Sequence, residues 1–449
     1  MARKETRTYD TVVIGGGASG LAAALAAARA GARVAIVERD VECGLPILAT
    51  GNGRCNLSNE NLRPARYRHP VIARAVMGEH PEEELAAWFA SVGIWTASED
   101  GRLYPASKRA ASVRDALLGA CRRAGIEMLS GWKLMRASWD AGDGRWRLEA
   151  LAPTSPLHAP RARDEHARLR ALRRALASTA LASATVEAAA VVLAPGGGAG
   201  AAAELFGVPH IEERPALCPI ACAPAGAGPA LGADGLARLD GIRADVRLTL
   251  VRDDIPLWSE GGEVLFRAYG LSGIAAFNLS RRIEPGDVIE VDLFPALDED
   301  ALRQRLRERE AVVGAFAPKR SDWFDGVLAP DLGKAVIEAA GVRNRCAEVA
   351  KHLAFRVRGT TEPKSAQVHR GGIPFSAVDT ATLEVASAAG GRIFACGEAL
   401  DMDADCGGFN LAWAWLSGTR AGTAAARSTL GATAPRPART EAPSGEVRA

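Results

Sequence analysis

A glycine-rich turn near the start of the chain could bind the phosphates of a dinucleotide. Gly15, Gly17 and Gly20 follow an apolar run and have the spacing GxGxxG. In such a turn the first glycine allows the tight bend, the second lets a pyrophosphate approach the backbone, and the third permits close helix packing. The next apolar run, residues 34–37, ends on Glu38, whose carboxylate can accept hydrogen bonds from ribose hydroxyls. This order of elements predicts a dinucleotide-binding βαβ unit.

Two further glycine-containing segments favour FAD as the dinucleotide. Residues 50–56, TGNGRCN, form a loop of small residues that can run close to a flat ligand, and Arg54 and Asn56 offer hydrogen-bond donors. Residues 191–197 indicate a strand that ends in glycines, which can pass beside the adenosine part of the cofactor. Both segments therefore suit a long, partly flat dinucleotide.

The second of these segments also admits an interpretation as an NADP site. Gly196, Gly198 and Ala201 match the GxGxxA variant that binds NADP. No second βαβ unit with an acid or an arginine at the end of its next strand follows, and this argues against the alternative.

A later segment supplies two more features of a flavin site. A short strand ends in Gly397 and Glu398, where the carboxylate can lie against the ribityl hydroxyls. Gly407 and Gly408 then begin a helix whose N-terminal N–H groups and partial positive charge can face the flavin pyrimidine oxygen. Such an arrangement stabilises the anionic reduced flavin.

Composition limits the other classes of ligand and partner. The formal net charge is +2 over 449 residues, which gives no electrostatic reason to expect nucleic acid or a membrane surface. The eight cysteines form no CxxC pair, so we expect reduced thiols in a soluble, cytoplasmic protein without a signal peptide. Asp401, Asp403 and Asp405 could suggest a calcium loop, but no glutamate follows at the required spacing, and we expect no metal.

The elements that must position these residues predict an α/β fold in which a second domain interrupts the first. Residues 1–215 indicate the first part of the FAD-binding domain, 216–349 an inserted substrate-side domain, and 350–430 the rest of the FAD-binding domain. Within the first part, residues 152–184 are rich in proline and arginine and lack an apolar stripe, so we expect an exposed, inserted helix. Residues 431–449 indicate a disordered tail.

Five longer strings in the sequence are specific enough to point to a family. They are TGNGRCNLSN at 50–59, GRLYPAS at 101–107, PALCPI at 215–220, GEVLFRAYGLSG at 262–273 and GEALDMDADCGGFNLAWAW at 397–415. In these strings the chain resembles the bile-acid dienone reductase and aminoacetone oxidase-like family of NAD(P)- and FAD-dependent oxidoreductases, which are two-dinucleotide-binding-domain flavoproteins. The resemblance implies a Rossmann-like FAD-binding domain interrupted by a β-barrel-like domain with a small helical piece.

The resemblance also implies where the chemistry takes place, and the chain departs from the family pattern there. The family places the loops of Arg54, Tyr269 and His369 near the flavin, so these three are the candidate catalytic residues. Residues 267–270 replace a Thr-His pair common in the family, and His369 replaces a frequent threonine. We therefore expect that the FAD site follows the family pattern and that the substrate-binding residues differ from it.

The motifs and the resemblance together predict the residues that contact the cofactor. No covalent attachment site is recognisable, so we expect non-covalent FAD. The predicted cofactor-binding residues are Gly15, Gly17, Ala18, Ser19, Gly20, Glu38, Arg39, Gly51, Gly53, Arg54, Cys55, Asn56, Gly196, Gly197, Gly397, Glu398, Gly407, Gly408, Phe409, Asn410 and Leu411.

Three functions are compatible with these observations. The first is a reductase in which NAD(P)H, as a transient electron donor, reduces FAD, and the flavin N5 then delivers a hydride to an electron-poor C=C bond of a small, steroid-like substrate. The second is a flavin-dependent oxidase of a small amine or ketone. The third is a flavoprotein that acts on RNA through the arginines of residues 161–174, against which the near-neutral net charge argues. The oligomeric state is left open.

Overall fold

The structure is a computed structural model, and it describes residues 6–158, 163–225, 235–317, 320, 322–361 and 366–431. Apart from Gly431, the predicted disordered tail lies outside these residues, as do residues 159–162 of the predicted insertion. Across the described parts of the chain, no helical segment combines the length and the apolar character that a membrane span requires.

Strands and helices alternate in the first half of the chain, and strands dominate the segment that follows. The strands are β1 (Arg7–Ile14), β2 (Val34–Glu38), β3 (Ser58–Asn59), β4 (Thr96–Glu99), β5 (Arg102–Pro105), β6 (Glu127–Ser130), β7 (Lys133–Asp140), β8 (Arg145–Pro153), β9 (Leu181–Leu193), β10 (Ile211–Ala216), β11 (Ile220–Pro224), β12 (Arg243–Arg252), β13 (Ile255–Arg267), β14 (Gly270–Ser272), β15 (Val288–Asp292), β16 (Leu353–Thr360), β17 (Val368–Gly372) and β18 (Arg392–Ala395). The helices are α1 (Ala18–Arg29), α2 (Pro70–Met77), α3 (Pro81–Ser91), α4 (Ala110–Arg123), α5 (Glu165–Ser178), α6 (Ala199–Phe206), α7 (Gly235–Arg238), α8 (Ile274–Ser280), α9 (Glu299–Val313), α10 (Pro330–Ala340), α11 (Cys346–Lys351) and α12 (Phe409–Leu430).

The larger sheet in the described residues has a parallel core that brings several carboxyl ends to one edge. Its strand order is β6-β2-β1-β9-β8-β7, and β18 also pairs with β9. The pairs β6–β2, β2–β1, β1–β9 and β9–β18 are parallel. The last four residues of β1 and the first four of β2 are buried, as expected for strands covered on both faces. The chain leaves β1 toward β2 on one side, and β9 pairs with β1 on the other, so a ligand-binding crevice is expected at the carboxyl ends of β1 and β9.

Small residues allow α12 to pack closely on α1. A Cβ on Gly418 would overlap the Ser19 carbonyl oxygen, and a Cβ on Gly422 would overlap the Ala23 carbonyl oxygen. The two helices therefore make backbone contact beneath the crevice. This packing fixes the first turns of both helices relative to each other.

A closed barrel forms the inserted domain. Within the described residues its strands follow the order β11-β14-β13-β12-β15-β16. The helical piece, α9 to α11, contributes Leu302, Leu306, Leu332 and Val336 to the core of the barrel. The predicted fold class, a Rossmann-like domain interrupted by a barrel with a helical piece, is confirmed.

The barrel extends further along the chain than the predicted boundary at residue 349. β16 pairs antiparallel with β15 and with β11 and so completes the barrel. β17 then pairs with β10, so that the two segments that connect the domains run side by side. The sequence did not reveal this, because three helices separate β15 from β16 and hide a pairing that is close only in space.

The segment 152–184, predicted to be an exposed insertion, is partly sheet and partly a packed helix. Its two ends pair with each other as the last residues of β8 and the first residues of β9. In between, α5 buries Leu169 and Leu172 in a cluster with Leu45, and Leu176 packs against the same cluster. The expectation that this segment lacks an apolar stripe was wrong, because leucines three and four residues apart form one among the arginines.

Candidate functional site

The glycine turn after β1 lies at the crevice and is shaped by close backbone contacts. Gly15 has a φ of +103°, and a Cβ there would overlap the carbonyl oxygen of Ala194 at the end of β9. A Cβ on Gly20 would overlap the Gly15 carbonyl oxygen. In contrast, a Cβ on Gly17 would meet nothing within 4 Å. Gly15 and Gly20 are therefore required for packing, whereas Gly17 leaves open space in front of the turn.

The N-terminus of α1 is available to bind an anion. Its N-cap is Gly17, no side chain caps it, and its first turn contains no acidic residue. The N–H groups of Ala18, Ser19 and Gly20, in the first turn, lack partners within the helix. This end carries partial positive charge, so it fits the pyrophosphate of a dinucleotide.

Glu38 lies beside the same turn at the end of β2. Its Oε2 accepts a hydrogen bond from the Gly16 backbone N–H at 2.7 Å, and its Oε1 accepts one from the Asp40 N–H at 2.7 Å. The two N–H donors hold the carboxylate in one orientation next to the glycines, and Arg39 follows it directly. The remaining lone pairs of the carboxylate can accept hydrogen bonds from a ribose.

Gly397 is held from three sides at the end of β18. It has a φ of +65°, and its N–H donates to Ser417 Oγ at 2.9 Å. Its carbonyl oxygen accepts from Trp413 Nε1 at 3.0 Å, and a Cβ would overlap the Ser19 hydroxyl. These contacts fix the backbone that carries Glu398, the residue predicted to contact the ribityl chain.

Glu398, His369 and Gly197 come together across three elements. The Oε1 atom of Glu398 accepts hydrogen bonds from the His369 backbone N–H at 2.7 Å and from His369 Nδ1 at 3.0 Å. The hydrogen bond with Glu398 raises the pKa of His369, and burial opposes the effect. Gly197 lies against both side chains, since a Cβ there would overlap His369 Nδ1 and stand 2.5 Å from Glu398 Oε1.

The N-terminus of α12 meets the loop of residues 50–56. The N-cap of α12 is Gly408, with a φ of +96°, and neither a capping side chain nor an acid accompanies it in the first turn. With its amide turned to satisfy its neighbours, Asn56 accepts a hydrogen bond from Gly408 N–H at 3.1 Å. Asn59 Nδ2 donates to the Gly407 carbonyl oxygen at 3.0 Å. The first turn of the helix, with the predicted contact residues Phe409, Asn410 and Leu411, is thus tied to this loop.

The structure argues against the NADP interpretation of the glycines after β9. The N-terminal N–H of α6, at Ala199, donates to Glu213 Oε1 at 2.6 Å. A carboxylate therefore already occupies the helix end that would have to bind a phosphate in a GxGxxA site. Gly196 has a φ of +72°, and a Cβ there would meet nothing within 4 Å, so this glycine still leaves room beside the crevice.

The three candidate catalytic residues do not form one centre. Arg54 donates to Glu99 Oε2 at 2.7 Å and stacks over the Tyr104 ring, with 4.3 Å between its Cζ and the ring centroid. Tyr269, 40% exposed, stands on the barrel hairpin, and its ring contact is with Arg267. Among the described residues, no contact joins Tyr269 to the glycine loops. His369, through its contacts with the carboxylate, supports Glu398.

Cys55 is buried within the loop of residues 50–56 and has a φ of +59°. Burial raises the pKa of its thiol to about 11, so the thiol stays protonated near neutral pH and serves the packing of the loop. The backbone turns sharply at Gly51, which has a φ of +54°. A Cβ on Gly53 would meet nothing within 4 Å.

An ion-pair cluster next to the site escaped the sequence analysis, which weighed its aspartates only as calcium ligands. Arg281, from the end of α8, donates from Nε to Asp403 Oδ2 at 2.5 Å and also pairs with Asp405. Arg370 donates from Nε to Asp403 Oδ1 at 3.0 Å. Burial would raise the pKa of Asp403, but Arg370 and Arg281 outweigh it and lower that pKa. In the sequence, alternating aspartates before a Gly-Gly pair could have pointed to this cluster. No sequence pattern, however, indicates that Arg281 and Arg370 pair with them.

The fold and the crevice are those of an FAD-binding protein of the Rossmann class that carries an inserted barrel. The chain belongs to the HI0933-like protein family: residues 9–150 match its Rossmann domain, and residues 214–368 match its barrel and H2TH domain. The chain is 31% identical to the 3-dehydro-bile acid delta(4,6)-reductase of Clostridium scindens, over 92% of this chain and 98% of the reductase.

Two other proteins are similar at greater distance. The ribosomal RNA dihydrouridine synthase of Haemophilus influenzae is 24% identical over 91% of this chain and 96% of the synthase. A solved 3-ketosteroid-delta4-(5alpha)-dehydrogenase from Rhodococcus jostii RHA1 has a TM-score of 0.42 and 15% identity, over 95% of this chain and 98% of the dehydrogenase.

Proposed function

We propose that the protein is an FAD-dependent reductase that takes electrons from NAD(P)H and reduces a C=C bond conjugated to a carbonyl group in a small substrate. The observation that carries this proposal is the 31% identity to a bile acid reductase along 98% of that enzyme. A 3-oxo steroid with double bonds at positions 4 and 6 is a conjugated dienone, which accepts a hydride at the carbon remote from the carbonyl.

The residues around the crevice would divide the binding of FAD among them. The N-terminus of α1 would bind the pyrophosphate, and Glu38 would accept hydrogen bonds from the adenosine ribose. Glu398 would bind the ribityl hydroxyls, and the N-terminus of α12 would face the pyrimidine oxygen. When bound there, FAD supplies the hydride transfer, while the protein supplies orientation and charge.

The geometry supports different roles for the three catalytic candidates. His369 touches Glu398 and the backbone of Gly197, so we assign it to the support of the cofactor rather than to proton transfer. Arg54 belongs to the loop of residues 50–56 and would border the substrate. Proton donation by Tyr269 stays a prediction, since it requires the substrate to bridge the barrel hairpin and the crevice.

The test of the proposed function is an anaerobic half-reaction experiment. The purified protein should contain FAD, NADH or NADPH should bleach the flavin without any acceptor, and a 3-oxo-4,6-diene steroid should restore its colour. Flavin that neither nucleotide reduces would contradict the proposal, as would reduced flavin that no conjugated enone or dienone reoxidises.

A second candidate is the reduction of uridine in RNA. It is favoured by similarity to two ribosomal RNA dihydrouridine synthases, from Haemophilus influenzae and from Escherichia coli, at 24% and 25% identity. The C5=C6 bond of uracil is also conjugated to a carbonyl, so the same flavin chemistry would serve both substrates. RNA would additionally need a basic surface.

The predicted basic surface on α5 is poorly suited to RNA. Arg168 pairs with Glu42 and with Glu165, and Arg173 pairs with Asp40. These arginines therefore tie the helix to the FAD-binding domain instead of offering free charge. Incubation of the NAD(P)H-reduced protein with unmodified ribosomal RNA, followed by nucleoside mass spectrometry, separates the candidates, because dihydrouridine would appear only if RNA is the substrate.

A further inference from the structure

The barrel contacts the loop that precedes α12 through the end of α8. The Arg281 side chain is only 4% exposed, and it donates from Nε to Asp403 Oδ2 at 2.5 Å and from a second nitrogen to the Asp403 carbonyl oxygen at 3.1 Å. It also pairs with Asp405. Asp403 and Asp405 belong to the loop that leads directly into α12. A residue of the inserted domain therefore holds the loop before the helix.

A second residue of α8 holds the next position of this loop. Asn278 Oδ1 accepts a hydrogen bond from the Cys406 backbone N–H at 2.7 Å. Asn278 Nδ2 lies 3.5 Å from Glu260 Oε2, and this contact turns the amide oxygen toward Cys406. Cys406 immediately precedes Gly407, so the barrel contacts reach to within one residue of the glycines that begin α12.

The loop and the first turn of α12 form one rigid unit. Asn410, in the first turn, accepts a hydrogen bond from Ala404 N–H at 2.9 Å and donates to the Ala404 carbonyl oxygen at 3.0 Å. Arg370, on the connecting strand β17, also donates to the Asp403 carboxylate. A displacement of the loop would therefore displace the N-terminus of the helix with it.

Stability alone does not account for this cluster. Removing charges from water costs several kcal/mol per ion, and apolar replacements of buried ion pairs are often as stable as the pairs themselves. What such a pair does provide is a fixed geometry, because Arg281 has several donors in a planar fork that matches its acceptors. The geometry fixed here is the approach of the α12 N-terminus to the crevice.

We propose that Arg281 and Asn278 are positioning residues through which the barrel sets the reduction potential of the flavin. The inference rests on the proposed function, in which the N-terminus of α12 faces the flavin pyrimidine. A helix N-terminus acts over about one turn, so a small displacement weakens its stabilisation of the anionic reduced flavin. Without the barrel, the FAD-binding domain would thus lack the contacts that hold the N-terminus of α12 in place.

The test compares three variants of the full-length, FAD-loaded protein. Arg281→Lys keeps the charge but loses the planar fork. Asn278→Ala removes the hydrogen bond from Cys406 N–H and the longer contact with Glu260, and it leaves the ion pairs of Arg281 intact. The matched control is Arg309→Lys, because Arg309 of the same inserted domain also uses its planar fork, but donates to the carbonyl oxygens of Trp323 at 2.7 Å and Asp325 at 2.6 Å and not to the loop. The measurements are the two-electron reduction potential, the flavin absorption spectrum and the FAD dissociation constant.

We expect Arg281→Lys and Asn278→Ala each to weaken the preference for reduced flavin by about tenfold, which is a potential about 30 mV more negative. The Arg309→Lys protein should keep the wild-type potential. Wild-type potentials in both test variants would overturn the positioning role, and so would an equal shift in the control. A wild-type protein that binds no FAD would instead contradict the proposed function itself.

Discussion

His369 and Glu398 are joined by two contacts to a single carboxylate oxygen. The backbone N–H of His369 donates to Glu398 Oε1 at 2.7 Å, and His369 Nδ1 lies 3.0 Å from the same atom. The hydrogen bond with this carboxylate raises the pKa of the imidazole, and the charges of Glu398 and Glu213 act in the same direction. These contacts therefore favour the imidazolium over the neutral ring more than in a free histidine, although burial opposes them.

The raised pKa of His369 predicts a pH dependence of stability. A histidine whose pKa is higher in the folded state stabilises the protein below its unfolded value, about 6.5, and this contribution is lost as the pH rises through the folded pKa. The free energy of unfolding of the wild-type protein should thus fall as the pH rises above about 6.5. Urea unfolding at a series of pH values measures this.

The same pH series should be measured for His369→Asn, and for His80→Asn as a control. The first variant should lose the decline above neutral pH, whereas the second should keep it, because the side chain of His80 is 76% exposed. An unchanged pH profile in His369→Asn would refute the assigned coupling.

Replacement of Glu38 should weaken FAD binding. Glu38→Ala removes the carboxylate that would bind the ribose, and hydrogen bonds to a charged group contribute about 1.5–3 kcal/mol. We expect the FAD dissociation constant to rise roughly tenfold to a hundredfold, as measured by fluorescence titration of the apoprotein. Glu187→Ala on β9, whose carboxylate pairs with Arg147 at 3.8 Å, is the control and should bind FAD normally. Equal affinities in the two variants would mean that Glu38 does not contact the cofactor.

Gly197 and Gly198 offer a matched pair of substitutions. A Cβ on Gly197 would overlap His369 Nδ1 and crowd Glu398, whereas a Cβ on Gly198 would meet nothing within 4 Å. Gly198 has a φ of −177°, which any residue can adopt. Gly197→Ala should raise the FAD dissociation constant by at least about tenfold, or about 1.4 kcal/mol, and Gly198→Ala should leave it unchanged. Isothermal titration of both apoproteins with FAD decides whether this contact matters.

The sequence predicted those parts of the candidate site whose residues lie next to a recognisable strand in the sequence. The glycine turn, Glu38 and Glu398 each follow an apolar strand within a few residues, so their position at the carboxyl ends of parallel strands could be expected. Arg281 and Asp403 are 122 residues apart, and their pairing depends on how the barrel docks on the first domain. No local pattern encodes that docking. For the same reason, the predicted boundary at residue 349 left β16 outside the barrel domain.

The packed helix α5 should contribute to stability, contrary to the expectation from its composition. The Leu172 side chain is 4% exposed and packs on Leu45, so Leu172→Ala should lower the free energy of unfolding by about 2–3 kcal/mol. Leu181→Ala, at a position 46% exposed, should change it by less than about 0.5 kcal/mol. Chemical unfolding of both variants tests the difference. Identical stabilities would restore the expectation that α5 is an exposed, inserted helix.

The reaction class predicts the form of the steady-state kinetics. Glu213 blocks the N-terminus of α6, so the chain offers no second phosphate-binding helix end at the glycines after β9. NAD(P)H and the substrate should therefore use the same face of the flavin in turn, with release of the oxidised nucleotide before the second half-reaction. Double-reciprocal plots should give parallel lines, and oxygen should reoxidise the reduced flavin much more slowly than an enone does. Intersecting lines would favour a ternary complex, and reoxidation by oxygen at the rate of turnover would favour an oxidase of a small amine or ketone.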